Sequence, residues 1–280
     1  MTKKLKCSIS AVPLVVALLI ATETQAIVNG ERINDGELLA RVSLALHFKT
    51  VSGKNQYCSS VVIRPNVLLT SAHCVVDDTP KVLLGTFVQR KGSAEPSAAS
   101  VEVADVFVNE TYRKTAGQDQ LREDIALILL KEPLPKPFQP AKMELEDRAV
   151  ARNFKISGFG AQTPWGNKRN FFSVSEAAEN VELRAKEATT VDFDREVIQI
   201  HQPGGGLCLG DSGGGAFEVG SLADQRPIVI AINMNAGSAS GPTCQTEAFL
   251  LRLSSKREWI QATLKSIEAQ SAAKTPASDK

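Results

Sequence analysis

Short apolar runs separated by turn residues recur along most of the chain. The runs are rich in Val, Ile and Leu, which favour β-strands, and the Gly, Pro, Asn and Asp between them favour turns. We expect strands at residues 38–47, 67–71, 101–108, 125–130, 154–158, 228–233 and 248–253. Many short strands without regularly alternating helices predict an all-β protein of two packed β-barrels rather than a βαβ sheet.

The C-terminal end carries the one clear helical pattern. Residues 255–258 (SKRE) match a capping box, and Ile260, Leu264 and Ile267 recur on one helical face. We expect this helix to pack against the second barrel. Beyond Gln270 the sequence is rich in Ser, Ala and Lys without apolar periodicity, which is typical of disordered chain. We therefore expect a disordered tail at residues 266–280.

The first 26 residues have the pattern of a secretory signal peptide. Three lysines precede an apolar run at residues 11–21, which is shorter than the roughly 20 residues that span a bilayer. Thr24 and Ala26 are small residues at the positions that signal peptidase recognises. We expect cleavage after Ala26, with a short anchor helix as the alternative. The folded domain is then residues 27–265, secreted or periplasmic, with no membrane span after signal removal.

Composition and cysteine count narrow the function classes. Hydrophobic residues make up 43% of the chain and charged residues 22%, as in a packed globular protein. The formal net charge of +1 implies no large basic face, so nothing points to nucleic acid as a partner. Cys7 leaves with the signal, and the even number that remains in an exported chain predicts two disulfides. A metal site built from all four thiolates is the alternative, although no C-x-x-C pair is present.

Ser212 lies within a glycine-rich motif, GDSGG, at residues 210–214. A serine hydroxyl is a weak nucleophile unless a base removes its proton and hydrogen-bond donors hold the developing oxyanion. The flanking glycines allow the N–H groups of Gly210 and Ser212 to point at one spot. The alternative interpretation is a glycine-rich turn with an incidental serine.

A base that titrates near neutral pH must be one of three histidines. His47 lies in an alternating strand and is expected to be structural, and His201 precedes a glycine run and is expected to be exposed. His73 follows an apolar strand directly before Cys74, so it is the best candidate.

Asp124 stands directly before the apolar run at residues 125–130. A carboxylate at the head of a buried strand is costly without a partner, and an imidazole N–H is a suitable one. A solvated Asp at a strand start is the alternative. The order His73, Asp124, Ser212 is one of the known orders of a Ser-His-Asp triad.

These motifs jointly resemble those of the chymotrypsin/trypsin family. The matching segments are residues 27–30 (IVNG), 70–74 (TSAHC), 124–127 (DIAL), 157–160 (SGFG) and 210–214 (GDSGG). The resemblance covers residues 27–265 and implies two six-stranded antiparallel β-barrels with the active site between them. It also implies a serine endopeptidase with protein or peptide substrates, no cofactor, no metal, and protein protease inhibitors as further partners. The small cysteine set is typical of bacterial or invertebrate members.

The resemblance also assigns roles to individual residues. It implies His73, Asp124 and Ser212 as the triad, and Gly210 with Ser212 as the oxyanion hole. It implies disulfides Cys58–Cys74 and Cys208–Cys244. After cleavage, the Ile27 ammonium would form an activation ion pair with Asp211. Cleavage after Ala21 would instead leave residues 22–26 as a short activation peptide.

Specificity is expected to come from an uncharged pocket. The family resemblance places Gly206 at its base and Ala248 on its wall, so apolar side chains should enter. Because strand side chains alternate, a one-residue slip would turn Glu247 inward and favour basic residues instead. The Ser-Trp-Gly segment usual in the family is replaced here by residues 233–236 (NMNA), which leaves the support of Asp124 open.

Two other functions compete with an active endopeptidase. One is a catalytically silent binding or adhesion homologue on the same fold, which commonly lacks a triad residue. The other is a hydrolase that acts on esters rather than peptides.

Overall fold

The computed structural model describes residues 27–49, 55–85, 87–89, 98–149, 152–160, 179–236, 244 and 246–274. The expected signal peptide at residues 1–26 and the last six residues lie outside the described residues. The strands are numbered in chain order. They are β1 (Glu31–Arg32), β2 (Ser43–Lys49), β3 (Asn55–Arg64), β4 (Val67–Thr70), β5 (Lys81–Leu83), β6 (Phe87–Gln89), β7 (Ser100–Val101), β8 (Val103–Val108), β9 (Ala126–Leu130), β10 (Lys142–Met143), β11 (Asn153–Gly158), β12 (Glu179–Val181), β13 (Arg184–Phe193), β14 (Val197–His201), β15 (Gly215–Glu218), β16 (Ile228–Ala236) and β17 (Glu247–Arg252). The α-helices are α1 (Leu38–Val42), α2 (Glu110–Lys114), α3 (Gln118–Arg122), α4 (Val219–Ala223) and α5 (Arg257–Lys274).

The strands form two antiparallel barrels, as the sequence predicts. In the first, the order β7-β5-β2-β3-β4-β9-β8 makes a nearly closed sheet. In the second, the order β13-β11-β15-β16-β17-β14 closes completely, because β14 pairs back with β13. The short strand β10 is an exception, since it pairs with β16 in parallel.

Successive side chains along a strand pack into two different apolar clusters. Leu44 and Leu46 of β2 pack in a cluster made of residues of the first barrel, whereas Ala45 between them packs in a cluster shared by both barrels. Ile128 and Leu127 of β9 divide in the same way. Because successive side chains of a strand point to opposite faces, one face of these strands fills the first barrel and the other packs against the second barrel.

Residues 38–47 do not form one strand, so that prediction is wrong in its first half. Leu38–Val42 is the short helix α1, and β2 begins only at Ser43. Leu39 and Val42 are both buried and are three residues apart, which is the spacing of one helical face. The alternating pattern that favours a strand starts after them.

The C-terminal helix α5 packs as expected, with Ile260, Leu264 and Ile267 buried in the shared cluster. It continues to Lys274, so the predicted disorder is wrong for residues 266–274. Ala, Lys, Gln and Glu extend a helix readily once it is nucleated, and the packed first turns supply the nucleus. Ser255 lies in the preceding 3-10 turn, where its hydroxyl donates to Arg252 O. Among the described residues, none of the helices combines the length and the apolar character that a membrane span requires.

Candidate active site

His73 and Asp124 meet because their strands are neighbours. His73 lies in a 3-10 turn, Ala72–Cys74, just after β4, and Asp124 lies just before β9. The antiparallel register pairs Thr70 with Ala126, so the end of β4 and the start of β9 share one edge of the sheet. Two residues 51 positions apart in sequence are thereby placed side by side.

The Asp124 carboxylate holds His73 at two points. Its Oδ2 lies 2.7 Å from His73 Nδ1, and its Oδ1 accepts the backbone N–H of His73 at 2.8 Å. A carboxylate only accepts, so Nδ1 carries the hydrogen and Nε2 is left as the basic nitrogen. The Asp124 side chain is 1% exposed, whereas 37% of the imidazole is exposed.

The electrostatics of this pair favour a protonated imidazole. Burial alone lowers the pKa of His73, but the charge of Asp124 and its hydrogen bond raise it more. The result is a His73 pKa above its usual 6.5. The site therefore stabilises the imidazolium that forms when the base accepts a proton.

Ser212 sits in a tight loop of the second barrel. Gly210 has φ +92° and Gly213 has φ +79°, a region that residues with side chains rarely adopt. A Cβ on Gly213 would also collide with Thr70 Oγ1 and Ser59 O. Both glycines are therefore required by the loop and by its close approach to the first barrel.

The Ser212 hydroxyl donates to Met234 O at 3.1 Å rather than to the imidazole of His73. The backbone nevertheless fixes the loop against the histidine segment. Ser59 N–H donates to Ser212 O at 2.8 Å, and Ser71 Oγ donates to Asn233 O at 2.9 Å. Rotation about the single Cα–Cβ bond of Ser212 redirects its hydroxyl without moving this frame.

Both expected disulfides are present, Cys58–Cys74 and Cys208–Cys244. The first ties β3 to the turn that carries His73, and the second starts the loop that carries Ser212. Cys58, Cys74 and His73 are close enough together to suggest a metal site. A disulfide offers no thiolate, so the four-thiolate metal alternative is wrong.

The structure places the backbone N–H of Ile27 beside the Asp211 carboxylate. Ile27 is completely buried, and its N–H hydrogen-bonds the Asp211 carboxylate. The N–H groups of Cys208 and Gly160 also donate to that carboxylate, each at 2.8 Å. Burial raises the pKa of Asp211 to about 7, and the three N–H groups oppose this rise. Here the Ile27 nitrogen is a peptide amide, because Ala26 precedes it in the chain.

The two residues expected to define specificity are buried and uncharged. Ala248 packs in the interior of the second barrel with Leu207, whereas Glu247 lies on the opposite face of β17 and is partly exposed. Ala248 rather than Glu247 therefore points inward, so the one-residue shift of register in β17 that would turn Glu247 inward is absent. A Cβ on Gly206 would collide with the side-chain amide of Gln202, which exchanges two 2.9 Å hydrogen bonds with the backbone of Leu207.

Asn233 has a role that the sequence did not reveal. Its Nδ2 donates to Ser157 O at 2.9 Å and to Asp211 O at 3.1 Å. The amide thus holds the backbone beside Ser212. The Asp124 carboxylate accepts hydrogen bonds from the backbone and the imidazole of His73. The segment that replaces Ser-Trp-Gly therefore supports the Ser212 loop.

Five charged side chains join the two barrels next to Asp124. This cross-barrel ion network consists of Arg122, Glu123, Asp194, Glu196 and Lys256. Arg122 lies 2.8 Å from Asp194 and 2.9 Å from Glu196, and Lys256 lies 2.9 Å from Glu123 and 3.3 Å from Glu196. No sequence pattern marks these residues, because the partners come from distant segments.

The other two histidines behave as expected. His47 is buried in β2 with its ring 5.2 Å from that of Tyr57, and His201 is exposed at the end of β14. His73 is joined to the buried carboxylate of Asp124.

The chain is similar in sequence to trypsin-like serine proteases. A family model described as "Trypsin" matches residues 27–260. "Serine protease SP24D" of Anopheles gambiae is 26% identical over 243 residues, which cover 85% of this chain and 81% of that protein. "Kallikrein 1-related peptidase b24" of Mus musculus is 27% identical over 177 residues, and the match covers 57% of this chain and 65% of that protein.

Solved structures show the same fold at low identity. A structure titled "HL collagenase" has a TM-score of 0.60 and 20% identity, covering 85% of this chain and 99% of that one. An inactivated protease paralogue of the scabies mite has a TM-score of 0.60 and 18% identity, with 85% and 99% covered. Likeness at this level concerns the fold alone.

Proposed function

This chain belongs to the trypsin family, and from that premise we propose that it is an active, secreted serine endopeptidase. The observation that carries the proposal is the 2.7 Å contact of His73 Nδ1 with the buried Asp124, in the barrel to which Ser59 N–H ties the Ser212 loop. Its substrates are proteins or peptides, and protein inhibitors of serine proteases would compete for the same site. The two disulfides fit an oxidising compartment outside the cytoplasm.

The proposed reaction is acyl transfer in two steps. Ser212 Oγ attacks the peptide carbonyl carbon while His73 Nε2 takes its proton, and the oxyanion accepts hydrogen bonds from the N–H groups of Gly210 and Ser212. The imidazolium then gives that proton to the leaving amine nitrogen, and the C–N bond breaks. Water next attacks the acyl-enzyme with His73 again as base, which releases the acid and restores Ser212.

Signal cleavage after Ala26 would switch the enzyme on directly. A free Ile27 ammonium would replace the amide that already hydrogen-bonds Asp211, and an ion pair would form in a buried place. Ile27 has φ +41°, a strained value for a β-branched residue. Cleavage removes that strain, because φ requires a preceding carbonyl carbon. Cleavage after Ala21 would instead demand a second protease.

The proposed pocket accepts apolar side chains at the residue before the cut bond. Gly206 and Ala248 offer no charge, and a cation buried there would lack a partner, which is costly. The inward position of Ala248 rather than Glu247 supports this choice over a preference for Arg or Lys.

A catalytically silent binding homologue is the second candidate. It is favoured by the Ser212 hydroxyl, which donates to Met234 O rather than to His73. The intact pair of His73 with Asp124 and the glycine conformations around Ser212 favour the enzyme.

Two assays on the processed chain separate the candidates. The unmodified chain should digest casein and be labelled at Ser212 by a fluorophosphonate probe. Folded Ser212→Ala protein should lose turnover by on the order of a millionfold and take no label. Labelling without casein digestion would point to an ester hydrolase, and absence of both would support the silent homologue.

A further inference from the structure

We propose that Ser59, in the first barrel, is a positioning residue for the oxyanion site in the second. The proposal rests on the proposed function, because it concerns the donor N–H groups of Gly210 and Ser212. It adds a residue that neither the triad nor the sequence motifs include.

The side chain and backbone of Ser59 are fully engaged with the site. Ser59 follows Cys58 in β3 and is 1% exposed. Its Oγ donates to Gly210 O at 2.9 Å and accepts the N–H of Phe159 at 2.9 Å. Its own N–H donates to Ser212 O at 2.8 Å. One residue of the first barrel therefore contacts the backbone of both proposed oxyanion residues.

The bond to Gly210 O restricts a residue that is otherwise easily reoriented. Gly210, at φ +92°, has no side chain to limit its peptide groups, and a rotated peptide would turn its N–H away from the oxyanion. Donors stabilise a transition state only when they are already aimed at the developing charge. The Ser59 hydroxyl holds the Gly210–Asp211 peptide, so the preceding Leu209–Gly210 peptide, which carries the Gly210 N–H, is anchored on one side.

The hydroxyl also links this glycine to the segment that holds Asp211. Phe159, whose N–H donates to Ser59 Oγ, is followed by Gly160, whose N–H donates to Asp211 Oδ1 at 2.8 Å. Ser59 thus joins the Gly210 backbone to the segment Phe159-Gly160, which binds the Asp211 carboxylate. Removing its Oγ would leave both Gly210 O and Phe159 N–H without this partner in a largely buried place.

Ser60 provides a matched control. It is the next residue of β3 and is also buried, but its hydroxyl donates to Leu44 O at 3.0 Å, within the first barrel. Ser59→Ala and Ser60→Ala therefore delete the same atom from neighbouring, buried positions. The first deletion touches the proposed oxyanion loop, and the second touches only the pairing of β3 with β2.

The experiment compares the processed wild-type chain, Ser59→Ala, Ser60→Ala and Ser212→Ala. We would measure kcat and KM on a chromogenic peptide, the Ki of a peptide boronic acid with the same sequence, and Tm. Ser59→Ala should lower kcat by about tenfold and leave KM within a factor of about two, because the lost interaction acts in the transition state. Its boronate Ki should rise by a similar factor.

Ser60→Ala should change kcat and the boronate Ki by less than about twofold, even if its Tm falls as much as that of Ser59→Ala. Equal losses of kcat in the two variants, or a change confined to KM, would overturn the role of Ser59. Should Ser59→Ala show no cooperative melt, Ser59→Gly is measured by the same criteria, since it keeps the backbone contacts. A wild-type chain no faster than Ser212→Ala would overturn the proposed function, and this inference with it.

Discussion

Lys256, in the turn that leads into the C-terminal helix, lies 2.9 Å from Glu123, the residue directly before Asp124. Its side chain is only 7% exposed, and it also reaches Glu196 of the second barrel. The ion network therefore fixes the segment that carries Asp124 to the opposite barrel.

Lys256→Met should destabilise the folded chain by on the order of 2 kcal/mol. The change leaves Glu123 without its cation and Glu196 with Arg122 alone. Both carboxylates are partly exposed, which reduces the cost below that of a fully buried pair. Denaturant unfolding in a Ser212→Ala background, which prevents self-digestion, measures it. Lys131→Met is the control, because its partner Glu102 and Lys131 itself are both exposed. An equal loss in the control would show that the network contributes no more than a surface pair.

Asp124→Asn should lower the pKa of His73. The folded pKa of His73 is above 6.5 because the charge and hydrogen bond of Asp124 outweigh burial, and only the effect of burial would remain. The pair stabilises the fold below pH 6.5, and this contribution is lost as pH rises through the raised pKa. An NMR titration of the imidazole in Ser212→Ala, with and without Asp124→Asn, tests the shift. An unchanged or higher pKa would contradict it.

The same substitution should reduce kcat by on the order of ten-thousandfold, since the imidazole loses the tautomer that leaves Nε2 basic. In the unmodified enzyme, kcat/KM should rise with pH through the raised pKa of His73, because only the neutral imidazole accepts a proton. A pH–rate profile that is flat across this range would speak against His73 as the base.

Residues left ahead of Ile27 should make stability depend on pH through Asp211. With an amide at Ile27, burial raises the Asp211 pKa to about 7, so the fold favours the protonated acid. Stability should then fall as pH rises from about 4 to about 7. In the chain that begins at Ile27, the ammonium opposes the rise. Its stabilisation, about 3–5 kcal/mol, is present at neutral pH and lost as pH exceeds the raised pKa of the amine.

Melting curves of two Ser212→Ala chains, one starting at residue 22 and one at Ile27, would separate these cases. The longer chain should lose Tm between pH 4 and 7 while the shorter one does not. Parallel pH dependences, or full protease activity of a longer active chain, would contradict the activation mechanism.

Gly206→Asp alone should fail to create a preference for Arg or Lys. Its Cβ would collide with the Gln202 amide, so the new carboxylate must either displace that amide or turn away. Chromogenic peptides that differ only at the residue before the cut bond would test this. The wild type should prefer apolar residues, and Gly206→Asp should lose stability without a switch. A strong preference of the wild type for Arg or Lys would show the uncharged pocket to be wrong.

Most of the fold was predictable because it depends on local patterns. Short runs rich in Val, Ile and Leu between turn residues placed the strands, and the spacing of Ile260, Leu264 and Ile267 placed the last helix on its buried face. The predictions were wrong in two segments whose local sequence fits more than one structure. Residues 38–42 are apolar enough for a strand or a helix, and residues 268–274 lack an apolar stripe but have high helix propensity.

The sequence by itself determined the residues on which the proposal depends, because their chemistry depends on residue type and order. A histidine beside a cysteine, an aspartate at the head of an apolar strand, and a serine among glycines are visible without coordinates. Only the tertiary structure decided what holds them in place. Ser59, Asn233 and Lys256 act through hydrogen bonds and ion pairs between segments distant in sequence. Their partners are set by how the two barrels pack, which no periodicity along the chain encodes.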